Sequence, residues 1–96
     1  MKNGTQLIYE ERKRQVEKEG FSTEHDDQHI GGELAVAAHC YLESYVIDMA
    51  EPKLMPAGGP FEDAAWKPSD DPIRNLVKAG ALIAAEIDRI QRRRSK

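Results

Sequence analysis

The stretch that decides the fold is residues 70–93, which reads DDPIRNLVKAGALIAAEIDRIQRR. Asp70 or Asp71 can cap a helix, and Pro72 suits the first helical position because an N–H there has no helical partner. Apolar residues then recur at helical spacing and form one stripe. The stripe consists of Ile73, Leu76, Val77, Gly80, Ile83, Ala84, Ile87 and Ile90. We predict a helix over about 72–93 whose stripe faces the core.

A small apolar patch lies off this stripe. It combines Leu82 with Ala81 and Ala85, next to Lys78. A leucine beside two small residues is a candidate subunit contact. The chain has 96 residues, of which only 6% are aromatic, and a domain of this size buries about 60–65% of its unfolded surface. We therefore expect a thin core completed by homo-oligomer formation.

A second long helix is predicted over about 32–50. Its apolar arc consists of Leu34, Ala35, Ala38, Tyr41, Leu42, Tyr45, Val46 and Met49. Close approach of the two backbones is expected where Ala35 and Ala38 meet Gly80 and Ala84. All five prolines and the Gly58–Gly59 pair lie between the apolar parts of these helices, which predicts a long Pro/Gly-rich loop over 51–71.

The first helix is predicted over about 5–19, from Thr5 as its N-cap to a stop at Gly20. Arg12 lies between Ile8 and Val16 at i, i+4 spacing, so it interrupts the stripe that should face the core. The other charged residues form a solvated face: Glu10, Glu11, Lys13, Arg14, Glu17 and Lys18. A short helical turn near 22–29, begun by Ser22 or Thr23, completes one all-α domain spanning 1–96.

Composition excludes several classes of protein. No apolar run reaches the roughly 18–20 residues of a membrane span, and residues 1–11 lack the apolar stretch that a signal peptide needs, so we expect none. One cysteine cannot form an internal disulfide. We therefore expect a cytoplasmic protein. The net charge of −3 divides into −5 over residues 1–50 and +2 over residues 51–96. This balance argues against nucleic-acid binding, although the tail at residues 92–96 is basic.

The densest group of chemically active residues lies before the second long helix. It comprises His25, Asp26, Asp27, His29 and Glu33. Imidazoles suit zinc or iron, and carboxylates suit Mg²⁺ or Mn²⁺, so the group is a candidate metal site. The spacing matches no standard zinc or EF-hand signature. The alternative is that these residues cap the helix and form a solvated turn.

Four further residues are candidate ligand contacts. Arg12 can hold a phosphate or carboxylate, or it can pair with Asp27 or Glu33. Trp66 can stack on a base beside a phosphate bound by Lys67, although a core plug is the alternative for this tryptophan. Lys78 is another possible phosphate contact.

Two residues on the second long helix favour simpler interpretations. His39 and Glu43 at i, i+4 spacing indicate a weak surface pair. Cys40 has no basic neighbour in sequence, so we assign it no chemistry.

Several phrases together resemble a group of small bacteriophage and prophage proteins. They are Glu11-Arg12-Lys13-Arg14-Gln15 with Glu19-Gly20, Glu24-His25-Asp26-Asp27-Gln28-His29, Gly32-Glu33-Leu34-Ala35, Trp66-Lys67-Pro68, and Leu76-Val77-Lys78-Ala79-Gly80-Ala81-Leu82-Ile83. The resemblance implies a phage setting within the host cytosol.

A weaker similarity connects the Glu-Arg-x-Arg-Gln opening and the closing Ile-Asp-Arg with MazG-like all-α nucleotide pyrophosphohydrolases. That family holds magnesium through Glu-x-x-Glu and Glu-x-x-Asp. Here Val36 follows Glu33, and Arg89 follows Glu86, at the matching spacing.

Two functions are expected. The first is a phage accessory protein that binds a phosphorylated nucleotide-type ligand, with Mg²⁺ or Mn²⁺ as a possible cofactor, and hydrolyses or sequesters it. The alternative is a non-catalytic inhibitor that binds a host enzyme or defence complex.

Overall fold

The computed structural model describes residues 1–47 and 69–95, and these ranges contain four helices and no strand. The helices are α1 (Gly4–Lys18), α2 (Thr23–Gln28), α3 (Glu33–Ile47) and α4 (Pro72–Arg94). The all-α class and the three main helices are therefore confirmed. Most of the loop predicted over 51–71 lies outside the described residues, as do Met49 and the side chains of Tyr45 and Val46. None of the described helices is long and apolar enough to cross a membrane.

The helix ends follow from local hydrogen bonds. Asn3, and not Thr5, caps α1: its Oδ1 accepts from the Gln6 N–H at 2.9 Å, while the Gln6 side chain accepts from the Asn3 N–H at 2.9 Å. Thr5 has Ile8 three residues later and cannot form this reciprocal pair. Of the two residues predicted for each cap, Ser22 and not Thr23 caps α2, and Asp71 and not Asp70 caps α4. Gly20 ends the α1 region with a φ of +75°, which glycine adopts without strain.

The core lies between α3 and α4. Its buried members are Leu34, Ala37, Ala38, Tyr41, Ala79, Leu82 and Ala85, with Phe21 and Leu42 packed against them. Small residues on both helices bring the two backbones close together, and the leucines fill the space beside them. The patch of Ala81, Leu82 and Ala85, predicted to be a subunit contact, is therefore buried within the chain, and that prediction was wrong.

The predicted core stripe of α4 is largely exposed. Ile73 is 60% exposed, Leu76 36%, Ile83 43% and Ile87 51%. The helix has two apolar faces, one rich in alanine and one rich in isoleucine. Only the alanine face matches the flat, small-residue surface that α3 presents at Ala37 and Ala38. Hydrophobicity alone favours the isoleucine face, and for this reason the isoleucine face and not the alanine face was predicted to be the core face.

Gly80 marks where α1 meets α4. A Cβ placed on Gly80 would lie 2.7 Å from Cδ1 and 2.9 Å from Cγ1 of Ile8. Ala35, predicted to meet Gly80, is exposed on the surface of α3. The close approach at this glycine therefore involves α1 and not α3.

Candidate functional site

The α2 region forms a stack of rings. The His25 ring lies parallel to Phe21, with centroids 4.5 Å apart and planes 4° apart. The His29 ring is tilted against His25 at 4.6 Å. These residues follow one another at four-residue spacing, which places them on one side of the turn. The neighbouring residue, Asp26, then points towards α1.

Asp26 is the buried carboxylate of this region. Its side chain is fully buried, and its two oxygens accept from Arg12 Nη2 at 2.6 Å and contact His25 Nδ1 at 2.9 Å. Arg12 is mostly buried, as its place in the apolar stripe predicted, but its partner is Asp26 and not Asp27 or Glu33. The pair joins α1 to α2. Arg12 Nη1 is buried with no hydrogen-bond partner among the described residues.

Replacing Asp26 by Asn is expected to lower the free energy of unfolding by about 2–3 kcal/mol, because Arg12 loses its only described anionic partner in a buried setting. The matched control is Asp27→Asn, since Asp27 is partly exposed and its loss should cost less than about 1 kcal/mol. Urea unfolding followed by circular dichroism measures both. Equal effects of the two substitutions would contradict the assignment of Asp26 as the buried partner.

The five predicted metal ligands separate into three sets. Asp26 pairs with Arg12 and contacts His25. Asp27 pairs with Arg92. Nδ1 of His29 lies 3.6 Å from Oε2 of Glu33. Glu33 also accepts from the Gly31 N–H at 2.9 Å, close to the start of α3. Within residues 1–47 and 69–95, no three His, Cys, Asp or Glu side chains converge on a point that suits a metal ion. A metal site built from these five residues stays a prediction.

A pocket opens where α2 and the C-terminal part of α4 meet. Its volume is about 180 Å³, and its lining consists of Asp27, Ile30, Arg89, Arg92 and Arg93. Arg92 donates to Asp27 Oδ1 through Nη2 at 2.7 Å and through Nε at 3.2 Å. Arg89 is largely buried and held by Glu86, with Nε 2.6 Å from Oε1 and Nη2 3.1 Å from Oε2. Two of the three guanidinium groups therefore have defined positions.

The electrostatics of this pocket favour an anion. Among the described residues, three guanidinium groups line the pocket; Asp27 pairs with Arg92 and Glu86 pairs with Arg89, which leaves a surplus of one positive charge. The hydrogen bond with Asp27 raises the pKa of Arg92, which therefore stays protonated at all accessible pH values. The carbonyl end of α4 contributes only about half a negative charge. Guanidinium groups form strong charge-assisted hydrogen bonds with phosphate oxygens, so the arrangement suits a phosphate group.

A second polar network, between α1 and α4, was not predicted from the sequence. Glu11 was assigned to a solvated face, but it is only 2% exposed. It accepts from Arg14 Nε at 2.8 Å and Nη2 at 2.9 Å, and also from Arg74 of α4. Residues 8, 11 and 15 follow helical spacing, so Ile8, Glu11 and Gln15 share one face. That spacing was the signal that Glu11 faces α4.

Lys78 belongs to this second network and not to the arginine pocket. Its ammonium lies 5.7 Å from the centre of the Tyr41 ring. Burial, together with nearby Arg74, lowers the pKa of Lys78. Eleven residues separate Lys78 from Arg89 on α4, or about 16 Å along the helix axis. The other predicted phosphate contacts, Trp66 and Lys67, lie outside the described residues.

The remaining predicted residues have modest roles. His39 Nε2 lies 3.1 Å from Glu43 Oε2 in an exposed pair, as expected for a surface contact. Cys40 is buried, and burial raises the pKa of its thiol, so it is a poor nucleophile.

The functional interpretation of this chain depends on its own geometry. No family model, no curated protein and no solved structure matches it. The resemblances to phage proteins and to pyrophosphohydrolases therefore stay predictions, and the arginine-lined pocket between α2 and α4 is its candidate functional site.

Proposed function

We propose that this chain binds a phosphorylated ligand of the nucleotide type and holds its phosphate in the pocket between α2 and α4. The observation that carries the proposal is the convergence of Arg89, Arg92 and Arg93 on a cavity with one carboxylate, Asp27. Glu86 positions Arg89, and Asp27 positions Arg92. Part of the side-chain conformational entropy that binding would cost is therefore already lost in the free protein.

The size of the pocket supports a phosphate group and not a whole nucleotide. Its volume of about 180 Å³ is below the roughly 300–1,000 Å³ of sites that enclose a drug-sized ligand. A shallow groove adjoins it through Arg92 and is lined by Asp88, Gln91 and Ser95. In the proposed complex the sugar and base lie along this groove, mostly in contact with solvent.

Sequestration is the form of this function that the geometry supports best. The arginines supply charge for binding, but hydrolysis needs an activated water, and Asp27, the carboxylate among the described lining residues, already accepts from Arg92. Mg²⁺ or Mn²⁺ would enter as the counter-ion of the phosphates. The alternative function, inhibition of a host protein, stays a prediction.

Titration calorimetry at low salt tests the proposal with pyrophosphate and a panel of nucleoside mono-, di- and triphosphates, with and without Mg²⁺. Arg93→Gln is expected to weaken phosphate binding by roughly tenfold, because it removes a charge-assisted contact. Arg94→Gln is the matched control: it makes the same charge change on the next residue, which does not line the pocket. Its effect should stay below about threefold.

Two results would contradict the proposal. One is no binding of any phosphate compound at millimolar concentration. The other is an equal loss of affinity in the two arginine variants, which would indicate diffuse attraction to the basic tail. Phosphate release measured in the same samples separates hydrolysis from sequestration.

A further inference from the structure

The exposed stripe of α4 follows the heptad period. Residues 73, 76, 80, 83, 87 and 90 alternate in steps of three and four, which is the spacing of the core positions of a coiled coil. Five of the six are Ile or Leu, and the sixth is Gly80. Ile73, Leu76, Ile83 and Ile87 are all substantially exposed. These exposed apolar side chains lie on either side of Gly80, which Ile8 of α1 covers, and such a patch on a helix marks a contact surface.

We propose that a second copy of this chain covers the stripe, with α4 packed antiparallel against α4 of the partner. In the antiparallel register Ile73 lies opposite Ile90, Leu76 opposite Ile87, and Gly80 opposite Ile83, each in both directions. Ile73, Leu76, Ile87 and Ile90 then each meet a large apolar partner, and Ile83 lies over the partner's Gly80. The interface is symmetric, as expected for a homodimer.

Charge complementarity selects this partner and this direction. Asp70 and Asp71 precede α4, and Arg94 lies at its C-terminal end, whereas Arg93 lines the pocket beside α2. The register that aligns the apolar residues also brings the acidic end of one helix beside the basic end of the other. A parallel pair would place the arginines of the two copies together. Antiparallel packing also sets the positive end of each helix dipole beside the negative end of its partner.

Gly80 fits the centre of this interface. It is the one stripe position without a side chain, and Ile8 of α1 already packs over it. In the dimer Ile8 lies beside the partner's Ile83 at the two-fold axis and fills the space that a glycine pair would leave. The contact consists of a single stripe of one helix from each copy, so we expect a weak dimer with a dissociation constant of roughly 10–100 μM.

Sedimentation equilibrium from about 5 to about 500 μM tests the dimer. The apparent mass should rise with concentration from 10.8 kDa towards twice that value. Ile83→Glu and Ile87→Glu should each raise the dissociation constant at least tenfold, because two charges enter an apolar seam. Both positions are exposed in the single chain, so circular dichroism should show an unchanged fold.

The control is Val36→Glu. Val36 is an apolar residue of α3 with 42% exposure, close to that of Ile83, and it lies outside the stripe. This substitution should leave the dissociation constant within about twofold of the wild type. A wild-type protein that stays at 10.8 kDa throughout overturns the proposal. An equal effect of Val36→Glu and Ile83→Glu also overturns it.

Cysteine cross-linking tests the direction. Leu76→Cys combined with Ile87→Cys should give a disulfide-linked dimer under mild oxidation, whereas Ile87→Cys alone should give little. Cys40 is buried and should not compete. Ready cross-linking of the single variant indicates parallel helices and overturns the antiparallel register. Arg94→Glu should weaken the dimer about threefold or more, and adding Asp70→Arg should restore it.

Discussion

Glu11→Ala is expected to lower the free energy of unfolding by about 3–5 kcal/mol, more than any other exchange of a charged residue described above. Glu11 is almost fully buried and accepts from Arg14 on its own helix and from Arg74 on α4. Removing it takes away the carboxylate that Arg14 and Arg74 share, although Arg14 keeps its contact with Glu19 at 3.2 Å. The desolvation cost of those cations stays, but the attraction that offsets it is lost.

The control for this prediction is Glu10→Ala. Glu10 is the preceding residue, is about half exposed, and pairs with Lys2 at 2.8 Å. An exposed pair of this kind contributes at most about 1 kcal/mol, so the control should unfold close to the wild type. Urea unfolding measures both variants. A loss below about 1 kcal/mol for Glu11→Ala would show that the cations find other partners and that the network does not join α1 to α4.

The same carboxylate predicts how stability depends on pH. Burial alone would raise the pKa of Glu11, but hydrogen bonds from Arg14 and Arg74 outweigh it and lower the pKa below its ordinary value. The folded state therefore binds fewer protons than the unfolded state in the acidic range, and stability rises with pH there. The contribution is complete above the ordinary glutamate pKa and is lost as the pH falls through the folded value.

Glu11→Gln checks this dependence, because it keeps the shape of the side chain and cannot titrate. The stability advantage of the wild type over this variant should shrink as the pH falls from about 7 to about 3. An advantage that stays constant over this range would show that the Glu11 carboxylate has the same pKa in the folded and unfolded states.

Leu82→Ala is expected to lower the free energy of unfolding by about 2–5 kcal/mol. Leu82 is 2% exposed and lies in the core with Leu34, Tyr41 and Ala38. Its neighbours on α4 include alanines, which cannot extend into the space that the substitution opens. The variant therefore loses the transfer energy of the side chain and also retains a cavity.

Ile83→Ala provides the matched comparison one residue away. Ile83 is 43% exposed in the single chain, so at concentrations where the protein is monomeric its truncation should cost less than about 1 kcal/mol. The difference between the two variants measures which face of α4 is the core. If Ile83→Ala were the more damaging substitution in dilute solution, the packing of α3 against the alanine face would be wrong.

The helices of this protein are largely predictable from its sequence, because their ends depend on local groups. Pro72 after Asp71 begins α4, Ser22 begins α2, and Gly20 closes the α1 region. The cap of α1 was predicted wrongly as Thr5 in place of Asn3. The reciprocal pair at this cap needs an amide side chain three residues later, which Gln6 provides for Asn3. Each of these features involves residues within one helical turn of each other.

The candidate site is only partly predictable from the sequence. Arg12 was expected to pair with Asp27 or Glu33 or to bind a ligand anion, and it pairs with Asp26, whose position depends on the α2 turn. The arginine pocket combines Asp27 with Arg92, which is 65 residues away in the chain. No spacing rule relates such residues, since their contact depends on how α2 and α4 pack.

The sequence by itself determined where the helices lie, the residues that begin α2 and α4 to within one position, and which helix faces are apolar. It left α4 with two apolar faces and α1 with a charged residue, Glu11, at a helical position shared with Ile8. The tertiary structure determines which face of α4 is buried and whether Glu11 is buried. The alanine face of α4 lets α3 approach closely, and the cations of Arg14 and Arg74 make burial of Glu11 favourable. Both choices depend on the shape and charge of a partner helix, which periodicity within one helix does not contain.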